Sequence, residues 1–214
     1  MTPQSARRLV VMDVDSTLIT AEVIELLAER AGSRTVVAAI TERAMRGEID
    51  FATSLHERVA TLAGLPAGVF DDVRAELVLT PGAPELLAEL ARRGWPVGLV
   101  SGGFAEVVEP LAASLGIGHV RANRLEVEGG ALTGRVRGAV VDRAAKAAAL
   151  REFALAEGIE LADTIAIGDG ANDLAMLALA GFSVAFNAKP LVRDAADAAV
   201  DGRLDAVLEL IDRT

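Results

Sequence analysis

Leu9-Val10-Val11-Met12-Asp13-Val14-Asp15-Ser16-Thr17-Leu18-Ile19 decides how this chain is read. Residues 9–12 form a short, β-branched apolar run preceded by Arg7 and Arg8. Such a run fits a strand covered on both faces of a parallel sheet. Two aspartates follow, two positions apart. In extended chain, residues i and i+2 face the same way. Asp13 and Asp15 therefore lean toward one spot, and the strand is expected to end at Asp15. Open α/β sheets place ligands at that edge. Two carboxylates this close repel each other unless a cation or a shared proton compensates. The pattern points to a divalent cation, and magnesium suits it, because that ion takes oxygen ligands and often only one or two carboxylates. Taken alone, Asp-x-Asp fits a turn or a helix N-cap equally well.

The composition sets bounds on the rest. At 214 residues the chain can build one good core plus a small second unit. Alanine with interspersed Arg and Glu favours helix. No apolar run approaches the roughly 20 residues that span a bilayer, and no apolar signal segment opens the sequence. Cysteine is absent, which removes disulfides and thiolate metal sites. The expectation is a cytoplasmic protein without a membrane partner. A net charge of −10 works against nucleic acid as a partner. An anionic small substrate would need a local positive site to overcome that field.

Residues 1–5 are expected to form a loose terminus. After Thr20 the pattern turns helical. Residues 21–31 carry an apolar stripe at Val23, Ile24, Leu26 and Leu27 and stop before Gly32. Further helices are expected over 35–46, over 51–63 with Asp50 as N-cap, and from Leu65-Pro66 to about 79. Four helices in succession inside an alternating chain read as an inserted helical cap over 19–78, with 1–18 and 79–214 forming the core domain. Helix 83–93 and strand 96–100 come next. Ser101-Gly102-Gly103 then leads into a helix over 104–115. Alternation at Leu125 and Val127, then Gly129-Gly130, then Leu132 and Val136 suggests a β-hairpin flap near 121–138. A helix over 143–156, strand 164–167, helix 174–180, strand 182–186, a turn at 187–190, a short helix, strand 198–200 and helix 204–211 complete the chain. Alternating strand and helix predicts an α/β three-layer sandwich with a mainly parallel sheet.

Each later cluster of chemistry-bearing residues follows a predicted strand. A hydroxyl and free backbone amides at Ser101-Gly102-Gly103 can cradle a phosphate at a helix N-terminus, although alone a capping serine is the simpler reading. Lys146 sits on a helix, where lysine is usually solvated. In Gly168-Asp169-Gly170-Ala171-Asn172-Asp173, glycines flank an acid at a strand end, which lets the backbone turn carboxylates toward the first strand.

Taken together, Asp13-x-Asp15, Ser101, Lys146 and Gly168-Asp169-x-x-x-Asp173 resemble the four motifs of the haloacid dehalogenase (HAD) superfamily, in order and over nearly the whole chain. The strings Asp-Val-Asp-Ser-Thr-Leu-Ile, Ser101-Gly102-Gly103-Phe104 and Asn187-Ala188-Lys189-Pro190, together with Glu22, are similar to the phosphoserine phosphatase family within it. Many members carry an N-terminal regulatory domain. Nothing here precedes the catalytic strand, so feedback through such a domain is not expected.

The resemblance implies a HAD-like Rossmannoid α/β/α sandwich with a helical-bundle cap and a small phosphomonoester, O-phospho-L-serine, as substrate. It implies Asp13 as nucleophile through an aspartyl-phosphate and Asp15 as general acid and base. One Mg2+ would be held by Asp13, the Asp15 backbone carbonyl and Asp169, with Asp173 in support. Ser101, Gly102 and Lys146 would bind the phosphoryl oxygens, and Asn172 would join the substrate site. Glu22 would pair with the substrate ammonium and Arg58 with its carboxylate. On pattern alone both are ordinary solvated helix residues. Phe51 and Met45 would wall the pocket. His56 and His119 receive no role, and Trp95 reads as packing. A monomer or a homodimer is expected. Rival readings are a capped phosphatase or phosphotransferase for phosphohomoserine or phosphoethanolamine, and a phospho-receiver signalling module.

Overall fold

The computed structural model describes residues 7–214, so the terminus at 1–5 lies outside the described residues. Strand β1 (Leu9–Met12) is the middle of a seven-stranded sheet of order β4-β3-β2-β1-β5-β6-β7. It pairs in parallel with β2 (Val97–Phe104) on one side and β5 (Thr164–Gly168) on the other. Beyond β5 lie β6 (Phe182–Phe186) and β7 (Ala198–Val200), both parallel. Beyond β2 lie β3 (His119–Glu128), parallel to it, and the edge strand β4 (Ala131–Arg137), antiparallel to β3.

The alternation of β1 separates two cores. Val10 and Met12 pack with Leu86, Leu90, Val107 and Val108, whereas Leu9 and Val11 pack with Leu150, Phe153, Met176 and Leu177. The first group comes from α5 (Ala83–Arg93) and α6 (Ala105–Ser114), and the second from α7 (Arg143–Glu157) and α8 (Leu174–Leu177). The short helix α9 (Pro190–Arg193) covers the second face, and α10 (Val207–Ile211) the first. With period-2 side chains buried on both faces, the sheet is the filling of a three-layer α/β/α sandwich. The chain runs from β1 outward through β2 and β3 on one side and then crosses back by α7 to β5 on the other, so the strand order reverses at β1 and the crevice lies at its carboxyl end.

Between β1 and α5 come four helices, α1 (Val23–Arg30), α2 (Arg34–Met45), α3 (Phe51–Ala60) and α4 (Val69–Glu76). The Asp50 side chain caps α3, accepting from Thr53 N at 2.7 Å. The segments entering and leaving the group zip together: Thr20 N donates to Val78 O at 3.0 Å and Thr80 N to Leu18 O at 2.9 Å. A second tie joins the group to the hairpin. Gly64 N donates to Leu132 O, Leu132 N to Leu65 O and Ala67 N to Gly130 O, each at 2.8 Å.

Several boundaries differ from the sequence reading, and those nearest the site have clear causes. Strand β1 stops at Met12, because the chain then coils into a wide turn over Val14–Leu18. Helix α4 starts four residues later than expected, since Leu65 and Ala67 spend their backbone groups on the hairpin. Strand β2 continues through Ser101-Gly102-Gly103 to Phe104, and the hairpin is the sheet's own edge rather than a free flap.

Candidate active site

The turn after β1 sets the site. Asp13 is extended (φ −67°, ψ 163°), and Ser16 takes the left-handed conformation at φ 59°, an unusual state for a residue with a Cβ. That reversal brings Ser16 Oγ within 2.6 Å of Glu22 Oε1, to which it donates. Asp13 is 4% exposed, and its Oδ1 accepts from Lys146 Nζ at 2.5 Å. Lys146, itself fully buried, also donates to Asp173 Oδ1 at 2.6 Å. The other oxygen of Asp173 accepts from Gly170 N at 3.0 Å. A Cβ on Gly168 would stand 2.6 Å from Asp173 Cβ, so only glycine admits this packing.

Carboxylate oxygens of Asp13, Asp169 and Asp173 lie within 4.8 Å of one another. This donor set fits a hard divalent cation: all oxygen, and negative beyond what Lys146 neutralises. Both oxygens of Asp173 already hold partners, which leaves Asp13 and Asp169 as the freer ligands. Thr17 Oγ1 donates to Asp169 Oδ1 at 3.4 Å.

Burial and crowding show in the acidities. Burial lifts Asp13 well above the usual carboxylate range, against the pull of Lys146. Burial first and the neighbouring Glu22 charge second raise Asp15 to about 8. Asp169 is raised to about 6 by burial and by Asp173. For Lys146, burial pulls downward, but Asp13 and Asp173 outweigh it and lift the ammonium above its ordinary value. Asp15 Oδ1 is buried without a hydrogen-bond partner.

A small cavity opens over these groups. It is lined by Asp13, Asp15, Asp169 and Gly102–Gly103 from the sheet edge and by Glu22, Phe51 and Arg58 from the helical insertion, and Asn172 borders it too. Its volume of about 120 Å³ admits only a small molecule. Arg58 is largely buried, which lowers its pKa against the opposing pull of Glu22 and Asp15. Its side-chain hydrogen bond runs from Nε to Ser54 O at 3.2 Å, and it makes no ion pair among the described residues. A charged, planar donor is thus held at the wall, ready for an anion.

The other expected residues fall as follows. Ser101 is fully buried behind the lining, and its Oγ accepts from Gly103 N at 2.8 Å. Lys146 also sits behind the lining, under Asp13. Met45 is 66% exposed at the end of α2 and does not wall the cavity, which corrects that expectation. Its helix position gave no sign of which face turned inward. His119 pairs with Glu157 Oε1 at 2.6 Å and packs on Phe153, away from the site. Trp95 lies under the guanidinium groups of Arg8 and Arg93. The reading of the sequence passed over Ser16 and Asn123, and it counted the Gly103 amide among free donors, whereas Ser101 Oγ holds it. Ser16 stands inside a motif already noted. Asn123 sits in a strand with no local mark.

Residues 10–178 match the family model of haloacid dehalogenase-like hydrolases, and the chain belongs to that family. Within it, the chain is 52% identical over 210 residues to a phosphoserine phosphatase of Lactococcus lactis subsp. lactis, covering 98% of this chain and 97% of that one. It is 60% identical over 207 residues to a phosphoserine phosphatase of Streptomyces coelicolor, covering 96% of this chain but 50% of that one. The chain thus spans about half the length of some relatives and nearly all of others. A solved phospho-aspartyl intermediate analogue of a phosphoserine phosphatase superposes with a TM-score of 0.90 at 40% identity, covering 96% of this chain and 99% of that chain.

Proposed function

We propose that the chain hydrolyses O-phospho-L-serine to L-serine and phosphate. We assign residues 1–18 and 79–214 to a catalytic core and 19–78 to a cap that selects the substrate. One observation carries the reading: Glu22 and Arg58, an acid and an unpaired guanidinium from the helical insertion, open on the same cavity as Asp13 and Asp15. Phosphoserine offers an ammonium to Glu22 and a carboxylate to Arg58, while its phosphate reaches the sheet edge. The relatives' shared activity points the same way.

Chemistry then follows from positions and acidities. An Asp13 carboxylate oxygen attacks phosphorus, forming the aspartyl-phosphate as the ester P–O bond breaks. Asp15, protonated at neutrality with a value of about 8, gives its proton to the departing serine oxygen. In the second half, water attacks the same phosphorus, Asp15 takes back a proton, and phosphate leaves Asp13. Lys146 holds Asp13 in place from behind, and the Gly102–Gly103 segment faces the phosphoryl oxygens. Asp13, Asp169 and the Asp15 backbone carbonyl would hold magnesium, with Asp173 in support, and the ion when bound supplies the positive charge that lets an anion approach these acids.

The test is phosphate release from a panel of small phosphomonoesters, with magnesium or with chelator. Phosphoserine should lead phosphoethanolamine and phosphohomoserine, and chelator should abolish turnover. Arg58→Ala should raise the KM for phosphoserine while sparing phosphoethanolamine, which has no carboxylate. Equal use of the two substrates by the unmodified chain would overturn the assignment of Arg58.

A further inference from the structure

Asn123 is 1% exposed, on β3, and its side chain uses both ends. Nδ2 donates to Gly102 O at 2.8 Å, and Oδ1 accepts from Val141 N at 2.7 Å. These partners belong to two different segments of the site. Gly102 and Gly103 line the cavity, and Val141 precedes Asp142, the N-cap of the helix that carries Lys146.

The bond to Gly102 matters because of which peptide it holds. Gly102 C=O and Gly103 N–H belong to one planar unit and point to opposite sides of it. Asn123 holds the carbonyl, and Ser101 Oγ holds the N–H at 2.8 Å. With both ends fixed, that unit cannot rotate, although two glycines would otherwise leave it free. The register between β2 and β3 breaks between Val100 and Phe104, so ladder pairing is interrupted across this stretch. Space is tight as well: a Cβ on Gly103 would lie 2.8 Å from Asp15 Oδ2.

We propose that Asn123 is a positioning residue. It locks the Gly102–Gly103 peptide against the cavity and ties it to the start of the Lys146 helix, so that the glycine wall of the phosphoryl subsite and the lysine that holds Asp13 from behind keep one spacing. The proposal deepens the functional reading above and rests on it for the word phosphoryl. The amide suits the task because it donates and accepts at once in a site closed to water.

The experiment compares Asn123→Ala and Asn123→Asp with the unmodified chain. Aspartate keeps the volume and the acceptor for Val141 N but, when ionised, has no donor for Gly102. Each variant should lose roughly 10- to 100-fold in kcat/KM, the scale of one buried partner left unsatisfied and a shifted subsite. The loss should be equal for phosphoserine and for p-nitrophenyl phosphate, and inhibition by inorganic phosphate should weaken alongside. A loss confined to phosphoserine would overturn the proposal, because it would place the defect at the amino-acid end. Amide hydrogen exchange gives a readout independent of turnover: Gly103 N–H should lose protection in both variants, and Val141 N–H in the alanine variant. If the unmodified chain cleaves no phosphomonoester, the functional reading fails, and exchange alone still judges the lock. Lowered thermal stability with unchanged kinetics and unchanged Gly103 exchange would make Asn123 purely structural. Failure of both variants to fold would likewise assign Asn123 to the fold and overturn the proposal.

Discussion

Replacing Lys146 by methionine strands a buried acid. Lys146 and Asp173 are fully buried and Asp13 nearly so, and the ammonium joins them at 2.5 and 2.6 Å. Removing one partner of a buried ion pair costs about 3–5 kcal/mol. The two bonds share one ammonium, so the figure applies once. For a chain of this size, each kcal/mol moves the melting temperature by about 2–4 °C, which gives a fall of roughly 6–20 °C. The fall should depend on pH with a definite sign. Burial already raises Asp13 above its unfolded value, and Lys146 is the first charge opposing that rise. Without Lys146 the native state binds still more protons than the unfolded one, so stability drops as pH climbs through the folded value. Thermal unfolding followed by circular dichroism in chelator should show a larger deficit at pH 8 than at pH 5. Adding Asp173→Asn to the variant should restore part of the loss. A deficit below about 2 °C at pH 8, or one equal at both pH values, would refute the reasoning.

Other outcomes follow from the same geometry. Gly103→Ala puts a methyl 2.8 Å from Asp15 Oδ2 and 3.0 Å from Ser101 Oγ. It should lower kcat/KM at least about tenfold while melting only a few degrees earlier, and unchanged kinetics would show that the backbone yields. Asp50→Ala removes the side-chain cap of α3, so it should lower stability by about 1 kcal/mol, or 2–4 °C in a melt. In chelator, Asp15 at about 8 and Asp169 at about 6 both stand above their unfolded values, so stability should be fullest near pH 4 and decline through pH 8. Magnesium at about 100 times its dissociation constant should add about 2.7 kcal/mol and flatten that decline. Urea midpoints measured across pH, with and without the ion, decide the matter, and a slope indifferent to magnesium would tell against the Asp13–Asp169–Asp173 donor set.

Local chemistry explains which parts of the molecule could be read from sequence. Leu9–Met12 alternates between two buried faces, so its composition alone marked a central strand. Asp13, Lys146, Asp169 and Asp173 follow strand ends or helix starts, and parallel topology brings such positions together. The left-handed Ser16 was hidden, because its conformation answers to Glu22 six residues on and not to its own side chain. Met45 shows the reverse case: an apolar residue at a helix end whose exposure depends on neighbours that only the fold supplies. Ser101 and its glycines read as a loop, yet the chain stays extended through them without ladder partners until Phe104 rejoins β3 at Asn123. Asn123 answers to partners 21 and 18 positions away, a range at which no sequence window operates.

The bonds from Gly64, Leu65 and Ala67 to the hairpin give the four-helix insertion a second attachment, separate from the paired segments at Thr20–Val78 and Leu18–Thr80. A body fastened at two distinct places keeps one easy degree of freedom, a swing about the line through both. A gap for substrate would open most easily by that swing, with the Arg74 bond to Glu106 O at 3.1 Å as a further tie to release. Because Phe51, Arg58 and Gly64 lie in or just beyond a single helix, the swing would carry the guanidinium and the aromatic wall together, as one leaf of a gate.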